Sequence, residues 1–365
     1  MNGQRQSLPM RAKRTLRIYL SLVFAVAGVA ACKKAEPPPP PVPAAPAPAP
    51  KPEPPPSPEL TAMPAGLPEM PIPPESALSP AKVQLGKMLF FDKRLSADGS
   101  ASCETCHQHD KGWTDALALS TKVDGTVNTR HSPTLYNVGF QPHWYWDGRA
   151  ANFEKQIAAA WKGHMSGDPG KAAAALQAIE EYKLRFEDAF GAAGITGDTI
   201  AAAIAAFVRT LNSGGSAWDR HEKAEANAVS EDVIAGYKIF TEKAHCALCH
   251  APPLFTDHDF HNVGIGSDAK EPDVGRFKVS NDPKHTGAFK TPSLRSVAKS
   301  GPYFHDGSVA NLEDAVKLMV AGGKKNKFMD EKLKPAKLSK QELAQLMAFV
   351  QSLTSEETFE APRLP

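Results

Sequence analysis

Two short runs in this 365-residue sequence place two thiols and an imidazole at fixed spacing. They are Cys103-Glu-Thr-Cys106-His107 and Cys246-Ala-Leu-Cys249-His250, and together they use four of the five cysteines. In such a run, two thiols one helical turn apart can add to the two vinyl groups of a porphyrin. The adjacent histidine then reaches the iron from the proximal side. A Cys-x-x-Cys pair also serves as a redox couple or as half of a zinc site. The histidine that follows at once, in both copies, selects covalent haem c attachment.

What faces each iron from the other side decides the chemistry. A second ligand gives electron transfer, and an open position admits peroxide or O₂. For the second motif the candidate is Met319, near the end of a predicted helix and just before Gly322-Gly323. Helical methionines are often core residues, so the pattern alone leaves both roles open. Methionine ligation raises a haem's potential relative to histidine. For the first motif, His109 is too close to His107 to cross the ring. His131, in a loop, could reach the iron or simply hydrogen-bond. We read the first haem as open.

These residues have to be positioned, and the pattern along the chain is mainly helical. Ser79-Pro80 opens a helix through Phe90, Asn152 to Trp161 forms another, and Asp168-Pro169 starts one through Tyr182. Asp198 is the expected cap of Thr199 to Leu211. Ser230 caps a helix to about Lys243 that leads into the second motif. Asn311 caps Leu312 to Ala321, and Ser339 caps Lys340 to Leu353. Strand signals are few. The motifs lie 143 residues apart, which predicts one haem domain each, over 77–227 and 228–356.

The N-terminus carries different information. Residues 1–31 hold a basic stretch and an apolar run (IYLSLVFAVAGVAA) too short for a comfortable membrane span, which reads as an export signal. Val29-Ala30-Ala31-Cys32 has the form of a lipoprotein cleavage site, so Cys32 is expected to be acylated. An ordinary signal peptide cut near Ala31 is the alternative. Lys33 after that cysteine is the pattern of bacterial lipoproteins sorted to the outer membrane, so the expected location is periplasmic. Residues 32–76 are Pro/Ala-rich, cannot bury a core, and read as a disordered, semi-rigid stalk. Net charge is +2, and loss of the basic leader leaves −3. No basic patch for nucleic acid is implied, and a mildly acidic surface suits a basic redox partner.

Several motifs, taken in order, resemble the bacterial di-haem cytochrome c peroxidases and their MauG-type relatives, over about Ser79 to Leu353. In the first half these are Leu89-Phe90-Phe91-Asp92, Arg94-Leu95-Ser96, Cys103 to His107, Arg130-His131-Ser132-Pro133-Thr134 and Tyr145-Trp146-Asp147-Gly148-Arg149-Ala150. In the second half they are Cys246 to His250, Thr291-Pro292-Ser293-Leu294-Arg295 and Pro302-Tyr303-Phe304-His305-Asp306-Gly307.

The resemblance implies that His107 serves the peroxidatic haem and His250 the high-potential, electron-accepting haem, with Met319 as that haem's distal ligand. It implies Trp146 as a relay between the haems, Gln156 as a distal-pocket residue and Arg295 as partner of a propionate. The expected reaction is reduction of H₂O₂ to water by a small electron donor such as a c-type cytochrome. Many members form homodimers, although no interface signal stands out here.

Three departures qualify the resemblance. The removable distal histidine of the peroxidases is missing from Ala116 to Val127, as in the MauG-type enzymes. No acid occupies Trp161 to Ser166, where the catalytic glutamate is expected, which leaves His164 to move the peroxide proton. The asparagine of the inter-domain calcium site is His131, although the carbonyls of Ser300 and Pro302, with Asn128 nearby, could still contribute. A hard cation prefers oxygen. A MauG-like oxidase of a partner protein and a non-catalytic electron carrier are the rival readings. Met319 stands where the MauG subgroup has a tyrosine, which argues against the first.

Overall fold

The computed structural model describes residues 62–356 and 358–365. The expected export signal, Cys32 and the Pro/Ala-rich stretch through residue 61 lie outside the described residues. The stalk expected over 32–76 ends before residue 76: Met70 is buried and the Gly66 carbonyl accepts the Arg295 guanidinium at 2.7 Å, so residues 66–70 pack on the folded chain.

The first half is built on helices α1 (Pro80–Phe91), α2 (Cys103–Cys106), α3 (Phe153–His164), α4 (Pro169–Gln177), α5 (Glu180–Phe190) and α6 (Gly197–Arg209). Short α7 (Ala217–Glu222) leads into α8 (Glu231–Lys238), α9 (Phe277–Ser280), α10 (Leu312–Val320) and α11 (Lys340–Ser352). The sheet content among the described residues is one two-stranded antiparallel pair, β1 (Phe260–His261) with β2 (Phe289–Lys290), in the register Phe260 opposite Lys290. No single described helix is long and apolar enough to cross a membrane.

Each half packs a helix that precedes its Cys motif against a later helix, α1 on α6 and α8 on α11. Both contacts depend on a glycine. A Cβ on Gly86 would lie 1.8 Å from the Ala203 carbonyl oxygen, and one on Gly236 would lie 2.0 Å from that of Gln345. Around these crossings sit two apolar cores. Leu85, Phe90, Tyr182, Phe186, Ile200 and Phe207 belong to the first; Phe240, Phe255, Leu346 and Phe349 belong to the second. Phe349 is fully buried, and truncating such a ring to alanine costs about 3–5 kcal/mol.

Helix starts follow the local chemistry. The side chains of Ser79, Asn152, Asp168, Asn311 and Ser339 each accept a backbone N–H of the first turn, as expected. Three expectations need correction. The helix expected from Asp168 to Tyr182 is two helices, because Ile179 adopts an extended conformation and turns the chain so that Leu176 and Tyr182 both reach the first core. The cap of α6 is Thr196 rather than Asp198, since its hydroxyl and that of Thr199 reciprocate each other's backbone N–H groups. Ser230 stands at the start of α8 without a side-chain cap bond, and the helix widens to π geometry over Ile239–Lys243. Gly322 and Gly323, at φ +86° and +70°, end α10 in the left-handed region.

The motif around Asp92 is structural. Its buried carboxylate accepts the Tyr182 hydroxyl at 2.5 Å and Arg94 Nε at 2.8 Å, which ties α5 to the end of α1.

Candidate functional site

Both attachment motifs present their histidine in the same way. Cys103 and Cys106 occupy the one-turn helix α2, with Ser102 and Thr105 forming a capping box. His107 Nδ1 lies 3.0 Å from the Trp113 carbonyl oxygen. In the second half His250 Nδ1 lies 3.0 Å from the Phe255 carbonyl oxygen. Trp113 and Phe255 both have positive φ, +62° and +53°, which turns each carbonyl back toward its histidine. An Nδ1–H donated to a carbonyl fixes the tautomer and leaves Nε2 free to ligate a metal. Burial pushes His107 down to about 4 and lowers His250 too, so both are neutral imidazoles. Burial also pushes the Cys103 and Cys246 thiols up to about 12. All four motif cysteines are free of disulfides.

The chain repeats itself around these motifs. The turn Trp144–Ala150 recurs as Tyr303–Val309, each closed by an antiparallel bridge. Positive φ recurs at Tyr145 and Phe304 and at Gly148 and Gly307. Asn152 then caps α3 as Asn311 caps α10. Counting on from the two caps, Met319 and Ala160 occupy the same position of their helices. Met319 lines an apolar cavity together with Cys246, Cys249, His250 and Trp146. With two thiols, an imidazole and a thioether lining one apolar cavity, the donor set fits a haem c, which His250 and Met319 would ligate. The equivalent residue of the first half is a methyl group, which cannot ligate.

Trp146 is held from two sides. Its indole N–H donates to the His131 carbonyl oxygen at 2.9 Å, and its own carbonyl accepts Lys290 N–H at 2.8 Å. The His131 N–H in turn donates to the His305 carbonyl oxygen at 2.7 Å. The His305 ring stacks on Phe289 with 3.6 Å between centroids. This ladder joins the two halves beside the second cavity.

Lys290 was not marked by the sequence. It is buried, lines the same cavity, and forms no ion pair among the described residues; burial lowers it to about 8. A buried ammonium there suits a haem propionate. No local pattern signals it, because its environment is assembled from both halves.

On the first-half side, His164 and His131 stand close enough for their charges to lower His107. Burial, then the charges of Lys122 and Arg149, lower His164 in turn. The guanidinium of Arg149 lies 3.5 Å from the centroid of the Tyr145 ring, and the Tyr145 hydroxyl makes a long 3.5 Å contact to the Gln156 carbonyl oxygen. Gln156 and His164 are thus both on α3, half-buried, with Tyr145 and Arg149 gathered beside them. Both Tyr145 and Arg149 belong to the Tyr-Trp-Asp-Gly-Arg run.

Arg295 has other partners than the expected propionate. Its guanidinium donates to both Asp219 carboxylate oxygens at 2.8 and 2.9 Å, to the Pro253 carbonyl at 2.8 Å and to the Gly66 carbonyl at 2.7 Å. It is 2% exposed. Its charge is already balanced by Asp219, so the residue is a structural tie.

At the position of the expected calcium asparagine, His131 offers nitrogen where a hard cation prefers oxygen, and its Nδ1 is already engaged by the Leu117 carbonyl at 2.8 Å. Ligand-type atoms also converge at Cys249, Asp257 and His261. There Cys249 belongs to the attachment motif, and His261 lies between Asp257 at 2.9 Å and Asp330 at 2.6 Å.

Residues 80–227 match the family described as di-haem cytochrome c peroxidase, and residues 233–354 match cytochrome c. The chain is 38% identical over 305 residues to the methylamine utilization protein MauG of Methylorubrum extorquens, covering 81% of this chain and 85% of that protein. It is 34% identical over 333 residues to cytochrome-c peroxidase IdrP1 of Denitromonas iodatirespirans, covering 82% and 89%. A solved structure of a MauG-like protein associated with microbial copper homeostasis aligns with a TM-score of 0.76 at 31% identity, covering 80% of this chain and 95% of that one. The mainly helical fold with two cytochrome c-like domains is shared.

Proposed function

The chain belongs to the di-haem cytochrome c peroxidase family, and on that footing we propose that it reduces H₂O₂ to two molecules of water with two protons and two electrons from a small cytochrome or similar donor. Two covalently attached haem c groups supply the redox chemistry when bound: electron acceptance on the His250 side and O–O bond cleavage on the His107 side.

The protein's own residues do the rest. Cys103, Cys106, Cys246 and Cys249 hold the porphyrins. His107 and His250 would present Nε2 to the irons, and Met319 would complete the second site. Trp146, clamped between His131 and Lys290, bridges the two halves as the relay. Gln156 orients peroxide, and His164 takes and returns its proton. The observation that carries this division of labour is the pair Met319 and Ala160, equivalent in the repeat but opposite in ligating power.

Steady-state peroxide consumption with a reduced small cytochrome tests the reading. The holoprotein should turn over, and absence of turnover with both haems loaded would sink the proposal.

A second reading, an oxidase acting on a residue of a partner protein, draws on the missing distal histidine and the similarity to MauG. Met319 counts against it.

We place the domain boundaries at 77–227 and 228–356. We also propose export to the periplasm and anchoring to the outer membrane through acylated Cys32, supported by the basic-apolar leader and the Pro/Ala-rich stalk. Fractionation of the Cys32→Ser variant tests this: a soluble periplasmic protein is expected, and unchanged membrane association would count against it.

A further inference from the structure

Charge is segregated in this chain. Residues 62–365 hold 34 Lys and Arg against 37 Asp and Glu. Seven of those lysines fall within 324–340, where Asp330 and Glu331 are the only acids. All seven are exposed. The remainder of 62–365 therefore has 27 basic residues against 35 acidic ones. The whole-chain balance, which points to a basic partner, averages over this contrast.

The basic segment joins α10 to α11 and is pinned in place. Asn326 Nδ2 donates to Asn262 Oδ1 at 3.0 Å, and Lys324 N–H donates to the Val263 carbonyl at 3.1 Å. Ala336 N–H donates to the Val320 carbonyl at 2.8 Å. Gly264, at φ +84°, lies so close beneath that a Cβ would sit 1.7 Å from the Lys324 carbonyl oxygen. Asp330 is engaged by His261 at 2.6 Å rather than by a lysine of the segment.

The position of the segment matters as much as its charge. Lys332, Leu333 and Lys334 line the cavity of His250 and Met319. Phe328, 37% exposed, stands among the lysines, with Lys327 Nζ 5.3 Å from its ring centroid. Lys324 pairs with Asp268 at 3.6 Å, whereas Lys325, Lys327 and Lys337 make no ion pair among the described residues.

We propose that this lysine platform is the docking surface for the electron donor, and that the donor is a small protein carrying acidic residues around its own exposed redox centre. The inference rests on the peroxidase reading, which makes the His250 side the electron port. The remainder of 62–365 carries a net excess of acid, so an acidic partner is drawn to the platform in preference to the rest of the chain, and the platform favours one orientation as well as rate. Steering of this kind raises association rates by roughly 10- to 1,000-fold and weakens with salt. Phe328 supplies an apolar contact inside a charged rim, the usual anatomy of a brief encounter surface.

The test uses the di-haem holoprotein in stopped flow, with a reduced acidic c-type cytochrome and, separately, a reduced basic one. The second-order rate constant for reduction of the His250 haem is read as salt rises. The acidic cytochrome should be faster by about tenfold or more at low salt, and its advantage should fade with ionic strength. The triple variant K325E/K327E/K337E should slow it by a similar factor, and K325R/K327R/K337R should not. A faster basic cytochrome, a salt-independent rate, or an unaffected triple variant overturns the proposal. So does an unchanged cytochrome rate combined with loss of binding to anionic phosphatidylglycerol vesicles, which assigns the platform to a membrane surface. Peroxide consumption driven by a neutral hydroquinone separates the two claims. If it is absent the peroxidase reading fails, while the haem-reduction rates still judge the platform.

Discussion

The indole N–H of Trp146 donates to the backbone carbonyl of His131 at 2.9 Å, and the next peptide along, His131 N–H, donates to the carbonyl of His305. The tryptophan is thus fastened to the seam between the two halves by main-chain groups, which do not change rotamer. Substitution Trp146→Phe keeps a ring but leaves the His131 carbonyl without its donor, at a local cost of about 1–3 kcal/mol. Peroxide turnover should fall about 10- to 100-fold, since small misplacements in a reactive array have effects of that order. Reduction of the His250 haem by the donor should be unchanged. Equal peroxide turnover in the two proteins would remove Trp146 from the route.

His164 should act as a base near neutral pH. Burial and the nearby Lys122 and Arg149 charges hold it below its ordinary value of 6.5. Its neutral, proton-accepting form therefore persists at pH 7 and is lost as pH falls through the lowered value. The pH–rate profile should show an acid limb below 6.5. His164→Gln should abolish that limb and lower kcat by about 100- to 10,000-fold. A variant with the wild-type profile would assign the proton to another group.

Arg295 and Asp219 form an almost fully buried pair, with side chains 1% and 3% exposed. Burial alone would raise the Asp219 carboxyl; the Arg295 hydrogen bonds and charge outweigh it and hold the group below the ordinary range. Stability from such a group is present above the unfolded value of about 3.9 and is lost as pH falls through the lower folded value. Arg295→Met strands a buried carboxylate and should cost about 3–5 kcal/mol. Thermal unfolding at pH 7 should show that loss, and acid unfolding should begin at higher pH. The haem potentials should stay where they are. A shifted potential with unchanged stability would restore the propionate role.

Ala160 offers a gain-of-ligand test. Ala160→Met puts a thioether at the position that Met319 occupies in the other half. The variant should convert the His107 haem to a six-coordinate, low-spin form and lose most of its peroxide turnover. Retention of both the wild-type spectrum and full turnover would mean that the repeat does not extend to the distal face.

How much of this was legible in the sequence depended on the range of the interaction. Asn152, Asn311 and Ser339 cap their helices through bonds three residues long, and these were readable from residue type and pattern. Ile179 was not, because its extended conformation serves burial of Leu176 and Tyr182 in a core assembled from other helices. Thr196 won the cap of α6 from Asp198 through a reciprocal hydroxyl pair. The Arg295–Asp219 pair spans 76 residues of chain, and nothing near Arg295 announces it. Lys290 is of the same kind. The lysine platform was hidden differently, by a net charge that averages it against an acidic remainder. Met319 and Ala160 lay in plain view but became comparable only once the two turns and caps were seen to repeat.

On this reading the two haem sites are unequal because one distal face carries Met319 and the other carries Ala160. The ferric spin state of the as-isolated holoprotein, read by low-temperature electron paramagnetic resonance, tests it most directly. One low-spin haem, lost as a His–Met signal in Met319→Ala, and one high-spin haem with an accessible distal position are expected. Two low-spin signals that ignore added peroxide would contradict it.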